Sequence, residues 1–345
     1  MEKARKNWLD AARALAMLFV IFGHVGNELF ANNVSADTVY LPLLKIINPI
    51  KVPLFFAVSG YLFSDKNNDV KYFFCKVLKS RLIPYTFWGS FMGIIAFLMD
   101  FARSGFDKSN AFSLLCSEYL VPFVRGNLIW FIPCLIVSEI VFFAINKISK
   151  GNLYVLSALA FAVTFLGYFL SADSSVKPWK FDTAFTCTQF MALGYLIKKL
   201  SGKVKIDLRV LSWSLAAAYI GLIVLFGSLP CGNNVDVNMG KYFDPAGFTL
   251  LSFIGIGFIF CISHFLENAK ALIFIGQNTF VYFVWHMYAA KIINVVLYKS
   301  PLMGHLPMTL SVVFITVLSC IVCAAVALVV NGWLGFSVGR KNSRR

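Results

Sequence analysis

Hydrophobic positions along this chain fall into long unbroken runs, separated by short polar clusters. Each run is roughly 17–25 residues, the length at which an α-helix crosses a bilayer. They lie near 9–30, 43–63, 83–101, 127–146, 153–170, 184–200, 210–229, 246–266, 272–297 and 308–330. The pattern predicts an all-α integral membrane protein, a bundle of about ten transmembrane helices forming a single membrane-embedded domain over 1–345. Pro49, Lys51 and Pro53 interrupt the run at 43–63, which predicts a broken or kinked helix beside a cavity. The longest connections, 64–82 and 102–126, leave no room for a soluble domain, and no internal repeat points to an inverted-repeat architecture.

Composition supports lipid as the main solvent. Of 345 residues, 59% are hydrophobic and only 14% are charged, with a mean hydropathy of +0.75; an ordinary soluble domain is about 45–50% apolar. A net charge of +15 in a soluble protein would suggest nucleic acid. Here the cations cluster at 1–6, 66–81, 147–150, 198–209, 270 and 340–345, on one side of the predicted topology. That asymmetry sets helix orientation and meets anionic membrane lipid, so no nucleic-acid partner is expected. An even number of spans with the bias inside puts both termini in the cytoplasm, the setting of a multi-pass plasma-membrane protein. The opening MEKARKNWLDAARALAMLFVIFGHV has a basic flank but no small-residue cleavage site, so it reads as a retained first span.

The cysteines mostly sit in apolar runs, where they behave as small hydrophobes. Cys320 and Cys323 have CxxC spacing but no second ligand pair nearby, so no metal site is expected. Cys116 and Cys231 fall in loops on the same predicted outer face, and a disulfide between them is one expectation.

Ionisable groups inside lipid are costly and mark function by default. The first span carries four: Asp10, Arg13, His24 and Glu28. Arg13 and His24 are eleven positions apart, close to three helical turns, which puts them on one face about 16 Å apart along the axis. Asp10 and Glu28 flank that stripe, and side chains such as Met17 and Val20 lie between. A cation near the cytoplasmic boundary below a deeply set imidazole suits a ligand with an anionic head and a long reactive arm. His286 lies at a matching depth in its own span, about 21 Å in, so both histidines are candidates for one chamber.

At these residues the chain resembles the acyltransferase-3 group of membrane acyltransferases, which includes free-standing glycan O-acetylases of the fucose 4-O-acetylase type. The resemblance rests on the Arg13 and His24 pair in WLDAARALAMLFVIFGH, VPLFFAVSGYLF at 52–63, KSRLIPY at 79–85, NLIWFIPCL at 127–135 and GQNTFVYFVWH at 276–286. It implies an acyl-CoA donor, acetyl-CoA by expectation, on the cytoplasmic side, and a glycan or glycolipid acceptor. Two features depart from relatives: the basic stretch reads Lys76, Lys79, Arg81 where many relatives are Arg-rich, and no extracytoplasmic hydrolase-like domain follows the last helix.

Each candidate has a functional and a bland reading. His24 is a general base for the acceptor hydroxyl, the site of an acyl-histidine, or a buried packing residue. Arg13 binds the donor's phosphates or pairs with Asp10 one turn away. Lys76, Lys79 and Arg81 complete an anion site or simply obey topology. His286 is a second catalytic or acceptor-binding group or a structural partner, and Glu28 orients His24 or sits hydrated at the membrane surface. Ser59, Glu139 and Trp130 are weaker substrate-binding candidates, Trp130 by stacking on a sugar or by anchoring at the interface. Two other classes stay open beside acyl transfer: a secondary transporter or flippase of a glycan intermediate, and a sensory or structural membrane protein.

Overall fold

Inside a bilayer every backbone N–H and C=O must be paired within its own segment, which makes helices of the apolar runs. The computed structural model describes residues 6–32, 34–64, 69–173, 175–201, 207–227, 235–242, 244–298 and 306–339. In chain order the helices are α1 (Asn7–Ala31), α2 (Tyr40–Lys51), α3 (Pro53–Leu62), α4 (Val70–Val77) and α5 (Ile83–Arg103). Short helices α6 (Ala111–Leu115) and α7 (Val121–Arg125) precede α8 (Phe131–Ser149) and α9 (Leu153–Ser171). Then come α10 (Phe181–Leu200), α11 (Leu208–Gly227), α12 (Pro245–Phe265), α13 (Lys270–Gln277), α14 (Thr279–Tyr298) and α15 (Met308–Trp333).

Among the described residues, nine helical stretches are long and apolar enough to cross a membrane, with α2–α3 and α4–α5 each counting as one. The protein is an all-α, multi-pass membrane protein. The expected span at 184–200 is the 20-residue helix α10, and it is more polar than the other nine. Asp182, Thr183, Thr186, Thr188 and Gln189 on α10 are all buried. Internal partners explain how they are tolerated: the Gln189 amide donates to Tyr168 Oη at 3.2 Å, and the Thr188 hydroxyl to the Ala184 carbonyl at 2.9 Å.

One expected break is present, and two boundaries differ from the sequence expectation. The run at 43–63 breaks at Val52, before Pro53. The connection at 64–82 is mostly helical: Asp69 caps α4 by accepting from the Tyr72 amide at 3.0 Å, and a π-helical turn at Leu78–Leu82 leads directly into α5. Its cations hide an amphipathic helix whose Phe73 and Val77 are buried. The expected single span at 272–297 divides at Asn278 into α13 and α14.

The chain forms two compact units. The first comprises Met1–Tyr61, Leu193–Asp236 and Tyr242–Gly332, and the second Leu62–Ala192, Val237–Lys241 and Trp333–Arg345. In the first, α1 packs against α2, α12, α13 and α14. Small residues permit this: Ala11, Ala12, Ala14 and Ala16 are fully buried, and α13 lies so close at Gly276 that a Cβ there would collide with the Asp10 carbonyl. Asp37 ties two helix starts together, accepting from the Val39 and Tyr40 amides at 3.0 and 2.9 Å and from the Thr309 amide and hydroxyl at 2.8 and 2.6 Å. In the second unit, Phe73 stacks on Phe143 at 4.4 Å, and Trp88 donates to the Ser337 carbonyl at 3.2 Å.

Candidate functional site

The polar face of α1 is built by spacing, and its partners come from other helices. At the N-terminal end, Arg13 Nη1 lies 2.9 Å from Asp10 Oδ1. The Asp10 side chain is buried and the Arg13 side chain is 28% exposed. A carboxylate that deep needs a cation, so the expected pairing of Arg13 with Asp10 exists; it leaves the rest of the Arg13 fork to other contacts.

Farther along α1, the ring of His24 lies 5.1 Å from that of His286 on α14. His286 is 2% exposed, and its Nδ1 lies 3.0 Å from the Tyr282 carbonyl and 2.9 Å from the Phe283 carbonyl. Carbonyl oxygens only accept, so Nδ1 carries the hydrogen. In the neutral ring Nε2 is then a lone-pair acceptor, and it is buried without a hydrogen-bond partner among the described residues. His24 also makes no hydrogen bond within the described residues. Two imidazoles thus meet inside the span with acceptor capacity unspent, an arrangement able to take a proton from a hydroxyl or to orient one.

The remaining candidates of the first unit stand apart from this pair. Glu28 is half-buried one turn beyond His24 and makes no hydrogen bond to it; its carbonyl accepts from the Asn32 amide at 2.7 Å. Ser59 is half-buried on α3. Cys231 lies outside the described residues, and the expected Cys116–Cys231 pairing with it, as do Lys3, Arg5, Lys66, Lys203, Lys205 and the basic residues after Gly339.

In the second unit the structure joins two candidates that sequence placed in different roles. Arg81 Nη2 lies 3.0 Å from Glu139 Oε1, and the Glu139 side chain is 8% exposed. Arg81 Nη1 donates to the Ser80 carbonyl at 3.2 Å, and Arg81 Nε is buried without a partner among the described residues. Lys76 lies within electrostatic range of both Arg81 and Glu139. Lys79 points to the exterior, and Trp130, just before α8, meets Phe131 edge-on at 6.1 Å. The second unit therefore holds a cationic cluster around one buried carboxylate.

Two features of the first unit escaped the sequence reading. One is an aromatic and basic cluster near the start of α1. Trp8 stacks on His264 at 4.1 Å, and Lys6 Nζ donates to Tyr61 Oη at 3.0 Å; all four line a cavity of about 990 Å³ with Phe260 and Leu211. No linear spacing announces it, because its residues come from α1, α3, α11 and α12. The other is Lys51, noted above only as an interruption of an apolar run. Treating it as an ionisable group inside lipid, the argument applied to His24, would have found it.

A bundle of apolar helices in which two histidine rings meet defines a multi-pass membrane protein. The family model described as an acyltransferase domain matches residues 6–328. The chain therefore belongs to the acyltransferase-3 family. It is also similar to nodulation protein NolL of Sinorhizobium fredii (strain NBRC 101917 / NGR234), 31% identical over 111 residues, which are 27% of this chain and 29% of that protein. The chain thus covers under a third of that relative's length. No solved structure matches it.

Proposed function

We propose that this protein transfers an acetyl group from acetyl-CoA, presented from the cytoplasm, to a hydroxyl of a surface glycan or glycolipid precursor. The observation that carries the proposal is the His24–His286 pair, 5.1 Å apart, in a chain of the acyltransferase-3 family. In this reading His24 takes the proton of the acceptor hydroxyl as its oxygen attacks the thioester carbon. The tetrahedral intermediate then collapses, the C–S bond breaks, and the thiolate leaves with the proton from the imidazolium. His286 accepts a hydrogen bond from the glycan through Nε2, which orients the attacking hydroxyl.

The donor's anionic end is assigned to guanidinium and ammonium groups, which offer permanent charge to phosphate oxygens. Arg13 stands at the N-terminal end of the histidine face, held by Asp10. In the other unit, Arg81, oriented by Glu139, and neighbouring Lys76 form a separate cationic group, an alternative to Arg13 for these phosphates. The positive-inside bias of the basic clusters supports a topology with both termini in the cytoplasm of a plasma-membrane protein.

Mass analysis of the host's surface glycans with and without the gene tests this directly. The proposal expects an acetyl ester present only with the gene. It is lost if the glycans are identical in mass while their export differs, the outcome for a flippase.

A further inference from the structure

Lys51 ends α2 midway along the Tyr40–Leu62 crossing, where the sequence offers it no water. A lysine there is expected to snorkel toward an interface or to complement the helix's terminal carbonyls. It does neither. Its Nζ lies beside Gly23 of α1, 3.2 Å from the point a Cβ on that glycine would occupy, and Leu44 Cδ2 lies 4.0 Å from the same point. Leu44 is two turns earlier on α2, so the lysine stem runs back along its own helix, the direction helical Cα–Cβ bonds favour. Gly23 is the space that admits the ammonium, and the next residue of α1 is His24.

The ammonium makes no hydrogen bond or ion pair with any described residue. The His24 ring and the Asp236 carboxylate are in electrostatic range of it. A cation in a membrane span that is hydrogen-bonded to no described residue is costly, and such groups mark function by default. Lys51 therefore brings unspent donors beside Gly23 and within electrostatic range of His24, whose ring meets that of His286.

We infer that Lys51 is the electrophilic residue of the site, donating hydrogen bonds to the thioester carbonyl oxygen as it becomes an oxyanion. The inference rests on the acyl-transfer reading above. The acceptor oxygen bonds to the carbonyl carbon, its proton passes to His24, and the C=O electron pair moves onto the oxygen facing Lys51. When that pair returns and the C–S bond breaks, the thiolate takes the proton from His24. Lys51 keeps all its protons throughout and supplies charge at the atom where charge develops.

The test compares wild type, Lys51→Met and Lys51→Gln, purified in nanodiscs and checked for monodispersity and melting temperature. The readouts are kcat from acetyl-CoA and Kd for CoA, which has no carbonyl at the reacting sulfur. Loss of one oxyanion donor lowers kcat by about 10²–10³-fold, so Lys51→Met is expected in that range, with the CoA Kd unchanged. Lys51→Gln, which keeps an N–H donor without the charge, falls between Met and wild type. If wild type transfers acetyl and either folded variant matches its kcat, or the CoA Kd weakens as much as kcat falls, the role of Lys51 is overturned alone. If wild type itself transfers no acetyl, the acyl-transfer reading fails and this inference fails with it. Should the Met variant misfold, the Gln variant decides between the same outcomes.

Discussion

His286 Nδ1 is held between the carbonyls of Tyr282 and Phe283 at 3.0 and 2.9 Å, which leaves Nε2 as the acceptor of a ring 5.1 Å from His24. The two nitrogens can be replaced separately. An Asn amide reaches the place of Nδ1, and a Gln amide reaches the place of Nε2.

If Nε2 orients the acceptor, His286→Asn lowers kcat/KM for the glycan by about 10–100-fold or more, within the range general acid–base and positioning groups command. His286→Gln retains more activity. The opposite order would assign the function to Nδ1 and make the residue structural.

The α1–α13 approach makes a stability prediction independent of chemistry. A Cβ at Gly276 would strike the Asp10 carbonyl, backbone that cannot move without shifting α1. Overpacking of this kind costs about 1–3 kcal/mol. Gly276→Val is expected to lower the melting temperature in detergent clearly below that of wild type, and an unchanged melt would show that the two helices separate readily.

Asp37 lies in the connection between α1 and α2 and gives a pH-dependent prediction. Hydrogen bonds from the Thr309 hydroxyl, then from the Thr309 amide, hold its carboxyl below the ordinary 3.8, down to about 2. A carboxyl depressed on folding stabilises while it is ionised. Its contribution is therefore complete above the ordinary value and fades as pH falls toward about 2. Asp37→Asn is expected to melt below wild type at pH 7, and the difference is expected to shrink once the pH drops under 4. A constant difference across that window would remove the charge from the account.

Much of this was legible along the chain because lipid imposes simple rules. Span length read off hydrophobic runs locates most helices, and an eleven-position spacing places Arg13 and His24 on one face. What failed to show has specific causes. α4 was hidden because Lys71 and Lys76 look like a loop along the chain, and α10 is polar because its Asp, Thr and Gln residues find partners inside the protein. Matching depths made His24 and His286 candidates for one chamber, but only the packing of α1 on α14 brings the rings together. Spacing also overstates contact: Glu28 shares a face with His24 without bonding to it. Lys51 is a charge inside an apolar run, but the prolines on either side of it already account for the break in the helix, and no residue nearby in sequence marks the space at Gly23 that its ammonium fills.

The most direct test of the central claim follows radiolabel from acetyl-CoA in nanodiscs carrying the purified protein and the host's glycolipid fraction. Wild type is expected to move label onto a hydroxyl of the glycolipid as an alkali-labile ester. His24→Ala, folded and still binding CoA, is expected to do so about 10²–10⁴-fold more slowly. Label transfer by His24→Ala at the wild-type rate would contradict the account.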